Sequence, residues 1–99
     1  METYCINLNI HYTIPNEIWD KLMELYINMP GWNEQMKCWY GNDGKIIEVS
    51  VEPSGLQFYG RLPSEEWEEW ISEFKRKATE ILGYEIGEPE DGFEFRYYD

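Results

Sequence analysis

The sequence predicts an α+β domain in which an antiparallel sheet of about five strands is covered on one face by two helices. Three observations support this prediction: short segments of alternating polarity, two stretches with helical periodicity, and a repeated strand-and-helix unit. The predicted element order is β-α-β-β-β-α-β. With 99 residues, the chain fits a single domain (1–99) that can bury one core.

The clearest signal runs from residue 55 to residue 83, where a strand, a turn and a helix follow one another. Pro63 moves Leu62 out of helical space and so ends the strand, while Ser64 can cap the helix that follows. Apolar residues then recur every three or four positions, and Gly83 can adopt the left-handed conformation that ends helices. The segment therefore specifies the strand, the helix and both boundaries of that helix.

A fainter copy of this unit occurs earlier in the chain. Residues 8–20 align with residues 56–68 without a gap and match their polarity at nearly every position. The first helix is predicted to begin at Pro15-Asn16, as the second begins at Pro63-Ser64. Pro30-Gly31 is predicted to end the first helix. The chain is therefore predicted to contain two pseudo-repeated βα units.

The remaining strands follow from alternating apolar and polar residues between turn-forming residues. Strands are expected over residues 4–13, 36–40, 46–52, 56–62 and 93–98. Residues 41–44 and 53–55 are predicted turns, residues 32–35 a loop, and residues 85–92 an acidic loop. The strands thus form one sheet whose second face is not covered by a helix.

This second face is expected to be polar, with some aromatic residues. Its predicted members are Asn7, Asn9, His11, Trp39, Glu48, Ser50, Glu52, Gln57, Tyr59, Arg61, Glu94 and Arg96. Solvated sheet faces seldom carry Trp and Tyr together without a contact to make, so this face is a candidate binding surface. The alternative is that Trp39 and Tyr59 only pack across neighbouring strands.

The chain is strongly acidic, with a formal net charge of −12. Residues 51–99 contain thirteen acidic and five basic residues and so carry −8 of that charge. Such a surface repels nucleic acid and anionic membranes and favours encounters with basic proteins. No apolar run is long enough to cross a bilayer and the first residues lack a secretory signal, so we expect a cytoplasmic protein.

The second predicted helix contains five glutamates: Glu65, Glu66, Glu68, Glu69 and Glu73. A solvated helix face with carboxylates near its positive end explains Glu65 and Glu66. It explains Glu69 and Glu73 less well, because Glu65, Glu69 and Glu73 form a row in which like charges four residues apart repel. Pairing of Glu69 with Arg76 and of Glu73 with Lys77 would offset part of this repulsion, and a basic partner would relieve it.

No catalytic constellation is recognisable. His11 is the only histidine, and the sequence contains neither a nucleophile-elbow motif nor a phosphate-binding glycine motif. Residues 42–44 and 88–92 are rich in oxygen ligands but lack the ligand spacing of a calcium-binding loop. We therefore expect no catalytic residues, no metal and no cofactor.

Cys5 and Cys38 are the two cysteines. Their separation and the absence of nearby histidines argue against a zinc site, and a cytoplasmic location favours reduced thiols. A disulfide between neighbouring strands is the alternative.

Residues 51–60, together with Trp67 and Trp70, resemble one family among the immunity proteins of bacterial polymorphic toxin systems. The small size, the acidity and the α+β organisation of most of the chain are similar to that class as well. The resemblance implies a protein that neutralises a cognate toxin, which is often a basic nuclease. No residue role is taken from it.

The resulting hypothesis is electrostatically steered occlusion of a basic toxin. The residues expected to bind the partner are Trp39, Tyr59, Glu48, Glu52, Glu65, Glu69, Glu73, Glu88, Glu90 and Asp91. Two alternatives from other classes are a phage-encoded inhibitor or nucleic-acid mimic directed at a DNA or RNA enzyme, and a small carboxylate-dependent enzyme. An edge strand of the sheet could also pair with a second copy and form a homodimer.

Overall fold

A computed structural model describes residues 1–97. The strands are β1 (Glu2–Leu8), β2 (Trp32–Asn33), β3 (Cys38–Asn42), β4 (Lys45–Glu52) and β5 (Gly55–Leu62). The helices are α1 (Asn16–Asn28), α2 (Ser64–Leu82) and a 3₁₀ turn, Pro89–Asp91. All strand pairs are antiparallel, and the order across the sheet is β1-β5-β4-β3-β2. The prediction of an α+β fold with a five-stranded antiparallel sheet and two helices is confirmed.

The two helices begin in the same way, as the repeat predicts. Pro15 and Pro63 have nearly identical backbone angles (φ −59°, ψ 153° and φ −58°, ψ 144°), and the next residue starts each helix. Ser64 is the first residue of α2 and makes no side-chain capping bond, so the prediction that it caps the helix is wrong. Gly83 ends α2 with φ 78°, as expected of a left-handed cap.

The first strand is shorter than predicted because the chain turns at Asn9. The Ile10 N–H donates to the Leu8 carbonyl oxygen at 2.8 Å, which closes a three-residue turn. The Asn9 side chain points inward and is 0% exposed. Its placement on the polar sheet face is therefore wrong, because the turn breaks the alternation that assigned Asn9 and His11 to that face.

The fifth strand also differs from the prediction. Residues 93–97 form no strand, and Tyr98 lies outside the described residues. A two-residue strand at Trp32–Asn33, predicted as a loop, pairs with β3 instead. The Asn33 side chain accepts hydrogen bonds from the N–H groups of Gln35 and Met36, so residues 34–37 form a turn and β3 starts only at Cys38.

Both helices pack on one face of the sheet. Along β5, Leu56, Phe58 and Leu62 are fully buried, whereas the intervening side chains face the other side. The centre of the core is aromatic, because Phe58 contacts Phe74 of α2 with ring centroids 4.7 Å apart. Burying each such side chain contributes about 1.5–3 kcal/mol, so this layer dominates the stability of the domain.

Trp39 lies in this core and not on the polar face. It is 0% exposed, its ring centroid lies 4.8 Å from that of Trp70, and its Nε1 donates to the Tyr26 carbonyl oxygen at 2.8 Å. The register explains the difference, because Trp39 pairs with Ile47, which is also fully buried beneath the helices. The prediction that Trp39 faces a partner is therefore wrong, since the residue has no exposed surface.

The cysteines are both free thiols, Cys5 exposed and Cys38 buried. They lie on β1 and β3, with β5 and β4 between them. Three strand spacings of roughly 4.8 Å place them about 14 Å apart, whereas a disulfide requires Cα atoms within about 7 Å. The folded chain therefore cannot form the alternative disulfide.

Candidate partner-binding surfaces

The acidic face of α2 consists of Glu65, Glu68 and Glu69, three exposed side chains on the N-terminal half of the helix. Within residues 1–97, none of them lies within ion-pair distance of a basic group. Residues three and four apart on a helix are neighbours, so Glu65 is close to both of the others. This surface therefore holds adjacent, uncompensated negative charge.

The other glutamates of this half of α2 are paired. Glu66 bonds to Lys45 of β4 at 2.8 Å. Glu73 accepts a hydrogen bond from Arg76 and lies 3.5 Å from Lys77. The bond from Arg76 is the main reason that the pKa of Glu73 lies below its usual value. The expected Glu73–Lys77 contact is thus present.

The expected relief of Glu69 is absent. Arg76 directs its guanidinium to Glu73 and, at 3.2 Å, to Glu80 instead of to Glu69. Arg76 binds Glu73 and Glu80 because residues three and four positions apart are direct neighbours on a helix, whereas Glu69 lies seven positions away. Glu69 therefore keeps its full repulsion with Glu65.

A depression of about 540 Å³ lies beside the acidic face. We name it the Tyr40 groove; its lining residues are Pro30, Tyr40, Glu66, Glu69, Trp70, Ser72, Glu73 and Arg76. Glu69 and Glu73, both predicted to bind a partner, meet here beside an aromatic residue that was not among the predicted binding residues. The groove thus combines carboxylates with an aromatic wall.

Tyr40 is held in an unusual backbone conformation. Its φ is +65°, which is rare for a residue with a side chain, and the ladder between β3 and β4 shifts register between Tyr40 and Asn42. Its N–H donates to the Gly31 carbonyl oxygen at 2.6 Å, and its ring lies over Gly31. A Cβ at Gly31 would lie 2.7 Å from that ring, so only glycine allows this packing.

Lys45 connects Tyr40 with the start of α2. Its ammonium lies 6.0 Å from the centre of the Tyr40 ring and bonds to Glu66. Burial, followed by the charge of Glu66, raises the pKa of the Tyr40 phenol above its usual value. Tyr40 therefore remains a neutral phenol at physiological pH and can donate or accept a hydrogen bond.

The open face of the sheet carries a second pair of predicted residues. Tyr59 of β5 is 37% exposed and lies directly opposite Glu48 of β4 and Cys5 of β1. Glu48, Ser50, Gln57 and Tyr59 line a shallow depression there. The placement of Tyr59 and Glu48 on the polar face is confirmed, and they lie on the side of the sheet away from the helices.

The remaining predicted residues lie at one end of the sheet. Glu52 is the last residue of β4 and pairs with Gly55 across the turn. Glu88 and Glu90 border a depression shared with Asn7 and Ser54, and Asp91 ends the 3₁₀ turn, exposed. The structure therefore buries Trp39 and divides the other predicted binding residues among three surfaces. Of these three, the surface on α2 joins several carboxylates to an aromatic groove.

A further aromatic cluster was not predicted from the sequence. Around His11 lie the rings of Tyr12, Phe95 and Tyr97, with centroids 4.2, 6.2 and 4.7 Å away. Tyr12 and Tyr97 are 54% and 67% exposed. The sequence signal was the density of aromatics after residue 92, which alternation alone assigned to a strand.

Within residues 1–97, no three His, Cys, Asp or Glu side chains are grouped as they would be around a metal ion. His11 Nδ1 lies 2.8 Å from Thr13 Oγ1, and the imidazole packs among the aromatic rings of the cluster.

In the described part of the chain, neither helix combines the length and the apolar character needed to span a bilayer.

Comparisons with protein-family models, with curated proteins and with solved structures found no match for this chain.

Proposed function

We propose that this protein is a non-enzymatic inhibitor that binds a basic protein in the cytoplasm, and that it acts as the immunity protein of a bacterial toxin. The observation that carries the proposal is the juxtaposition of the acidic face of α2 with the Tyr40 groove. Uncompensated carboxylates destabilise a helix slightly, and a cationic partner would remove that repulsion. The resemblance of residues 51–60 to immunity proteins is the reason for proposing that the basic partner is a toxin.

Association would begin with long-range attraction. A net charge of −12 raises the rate at which a cationic surface encounters this protein, and the unpaired glutamates of α2 orient that encounter. A nuclease carries a basic groove for phosphates. When the nuclease binds α2, its own basic groove would be covered, and the nucleic-acid substrate could no longer enter that groove.

The Tyr40 groove would then supply the close contact. The half-buried ring of Tyr40 offers aromatic surface, and the exposed carboxylate of Glu69 offers acceptors for Arg and Lys side chains. Tyrosine and arginine are the residue types that dominate such interfaces when they are desolvated. Contacts in the groove should therefore determine the dissociation rate, whereas the acidic face determines the association rate.

The test is co-expression with the protein encoded by the neighbouring gene, followed by binding kinetics of the purified pair. If the neighbour is toxic and this chain rescues growth, association should slow as the salt concentration rises. The variant Glu65→Gln/Glu69→Gln should associate with the partner on the order of tenfold more slowly at low salt. Glu17→Gln/Glu24→Gln on α1 removes two exposed charges elsewhere and is the matched control.

Equal slowing by both double variants would mean that net charge alone attracts the partner, and would contradict the role given to α2. An association rate that is indifferent to salt would contradict steering altogether. A harmless neighbour, together with no basic protein recovered from a lysate of the native organism, would contradict the proposed function.

The nucleic-acid-mimic alternative differs in its target, a DNA or RNA enzyme with many substrates. It is less well supported, because residues 51–99 carry −8 of the net charge of −12, whereas a mimic usually spreads its carboxylates over the whole surface. A small carboxylate-dependent enzyme has less support again, since Glu66 and Glu73 are already paired with basic groups. Turnover that is lost on alanine substitution of these acids, with protein binding unchanged, would favour the enzyme.

A further inference from the structure

β1 is an edge strand with an unused side. Among the described residues, 1–97, it pairs with β5 alone. Within residues 1–97, the backbone groups of residues 2–7 make no hydrogen bonds outside that pairing. An unpaired edge presents a row of N–H and C=O groups that another strand can bind.

Edge strands are usually protected by a proline, a lysine, a bulge or a covering segment. Within the part of the chain that the structure describes, β1 contains no proline, lysine or bulge, and no backbone segment pairs with its outer side. Its pairing with β5 is regular from Glu2 opposite Leu62 to Leu8 opposite Leu56, and Glu2 is its one charged residue. The other edge strand, β2, has two residues and offers little to a partner strand.

The helical layer also leaves apolar surface near this edge. Tyr4 and Ile6 face the helices but are only half-buried, whereas Phe58, opposite Ile6 on β5, is fully buried. A strand added beside β1 would cover the exposed parts of both side chains. Hydrogen bonding and apolar burial therefore both favour the pairing of another strand with this edge.

We propose that β1 pairs antiparallel with β1 of a second copy, so that the two sheets become one. A two-fold axis through the strand centre gives the fullest overlap of residues 2–8. In that register Tyr4 lies opposite Ile6 of the second copy and Thr3 opposite Asn7, while Glu2 faces Leu8. The Tyr4–Ile6 pair is of the favourable aromatic–β-branched kind, and no like charges of β1 face each other.

The same register brings Cys5 opposite Cys5 of the second copy. Directly opposed residues in an antiparallel pair have Cα atoms about 4.5–5.5 Å apart, within the range of a disulfide, about 4.4–6.8 Å. Cys5 is exposed on the open face of the sheet. Its thiol is therefore a reporter of the dimer.

Self-association and partner binding should respond to salt in opposite directions. Two copies of net charge −12 repel each other, and salt screens that repulsion. The dimer should therefore strengthen as salt rises, whereas binding to a basic protein should weaken. This inference does not rest on the proposed function, and either can fail without the other.

Sedimentation equilibrium of the full chain in reductant tests the pairing. The expected result is a monomer–dimer equilibrium that shifts to dimer at higher salt. Cys5→Lys places two ammonium groups across the two-fold axis and should shift the equilibrium toward monomer by about tenfold or more. Cys5→Ser should leave it unchanged. Circular dichroism confirms that both variants fold.

Cross-linking with diamide tests the register. Two Cys5 thiols form one disulfide, and diamide takes up the two electrons and two protons that they release. The covalent dimer of the unchanged protein should form at least about tenfold faster than that of Cys5→Ser/Ser50→Cys, a variant with an exposed thiol on a central strand. Equal cross-linking rates, a chain that stays monomeric at high salt, or a Cys5→Lys variant that still dimerises would each overturn the proposal.

Discussion

Asn9 and Gly87 hold each other by two reciprocal hydrogen bonds. The Gly87 N–H donates to Asn9 Oδ1 at 2.9 Å, and the Asn9 N–H donates to the Gly87 carbonyl oxygen at 3.0 Å. Asn9 Nδ2 also donates to the carbonyl oxygens of Glu85 and Glu94. One fully buried side-chain amide thus connects the irregular C-terminal segment to the end of the sheet.

Asn9→Ala should therefore destabilise the protein by about 2–4 kcal/mol, because several buried backbone groups lose their partners. The loss should appear in urea denaturation, and hydrogen exchange should show faster exchange at Gly87 in particular. Asn42→Ala, at an exposed position, is the control and should change stability by less than about 0.5 kcal/mol. Similar losses of stability in Asn9→Ala and Asn42→Ala would contradict the role given to the hydrogen bonds of Asn9.

Trp39 should prove structural, since it has no exposed surface. Trp39→Phe leaves a cavity and removes the donor to the Tyr26 carbonyl oxygen, so we expect a loss of about 2–4 kcal/mol in denaturant unfolding. Trp32→Phe is the matched control, because Trp32 is half-buried and its indole N–H donates to the exposed carboxylate of Glu34 instead of to a buried carbonyl. A variant Trp39→Phe that is as stable as the control would show that the core packs differently.

Two glutamates of α2 should respond to neutralisation with opposite signs. Glu69→Gln relieves repulsion and should stabilise the protein by about 0.2–0.5 kcal/mol. Glu73→Gln removes the ion pairs with Arg76 and Lys77 and should lower the melting temperature. Thermal unfolding at low salt measures both effects, and high salt should reduce them. The same sign for both variants would contradict the pairing described for Arg76.

Stability should fall in alkali because of Tyr26. Burial raises the pKa of its phenol well above the ordinary value of 10.0. Above pH 10 the unfolded chain ionises this tyrosine while the folded chain does not. The unfolded state then binds fewer protons and gains stability relative to the folded state as the pH rises. Denaturant midpoints should therefore decrease above about pH 10, and less steeply in Tyr26→Phe.

The thiols should be labelled in two stages. Cys5 is exposed, whereas Cys38 is buried and burial raises its pKa. A thiol reagent near pH 8 should modify one cysteine quickly in the native protein and the second only on unfolding. Rapid labelling of both in the native state would show that β3 opens easily. No labelling of the unfolded chain without reductant would indicate a disulfide.

The sequence determined the local elements of this fold. Pro63 and Pro15 fix the backbone before each helix, Gly83 ends α2, and alternation identifies β4 and β5. These signals act over a few residues, so they can be read without knowing what packs against them. The same holds for net charge, and hence for the expectation of a basic partner.

Tertiary structure decided which side chains are available at the surface. Whether Trp39 lies inside or outside depends on its pairing with Ile47, which places it beneath the helices. The burial of Asn9 depends on residues 85–94, more than seventy positions away. The groove beside Glu69 exists because Tyr40, at positive φ, packs on Gly31. Each depends on contacts between segments distant in the chain, and periodicity within one segment carries no information about them.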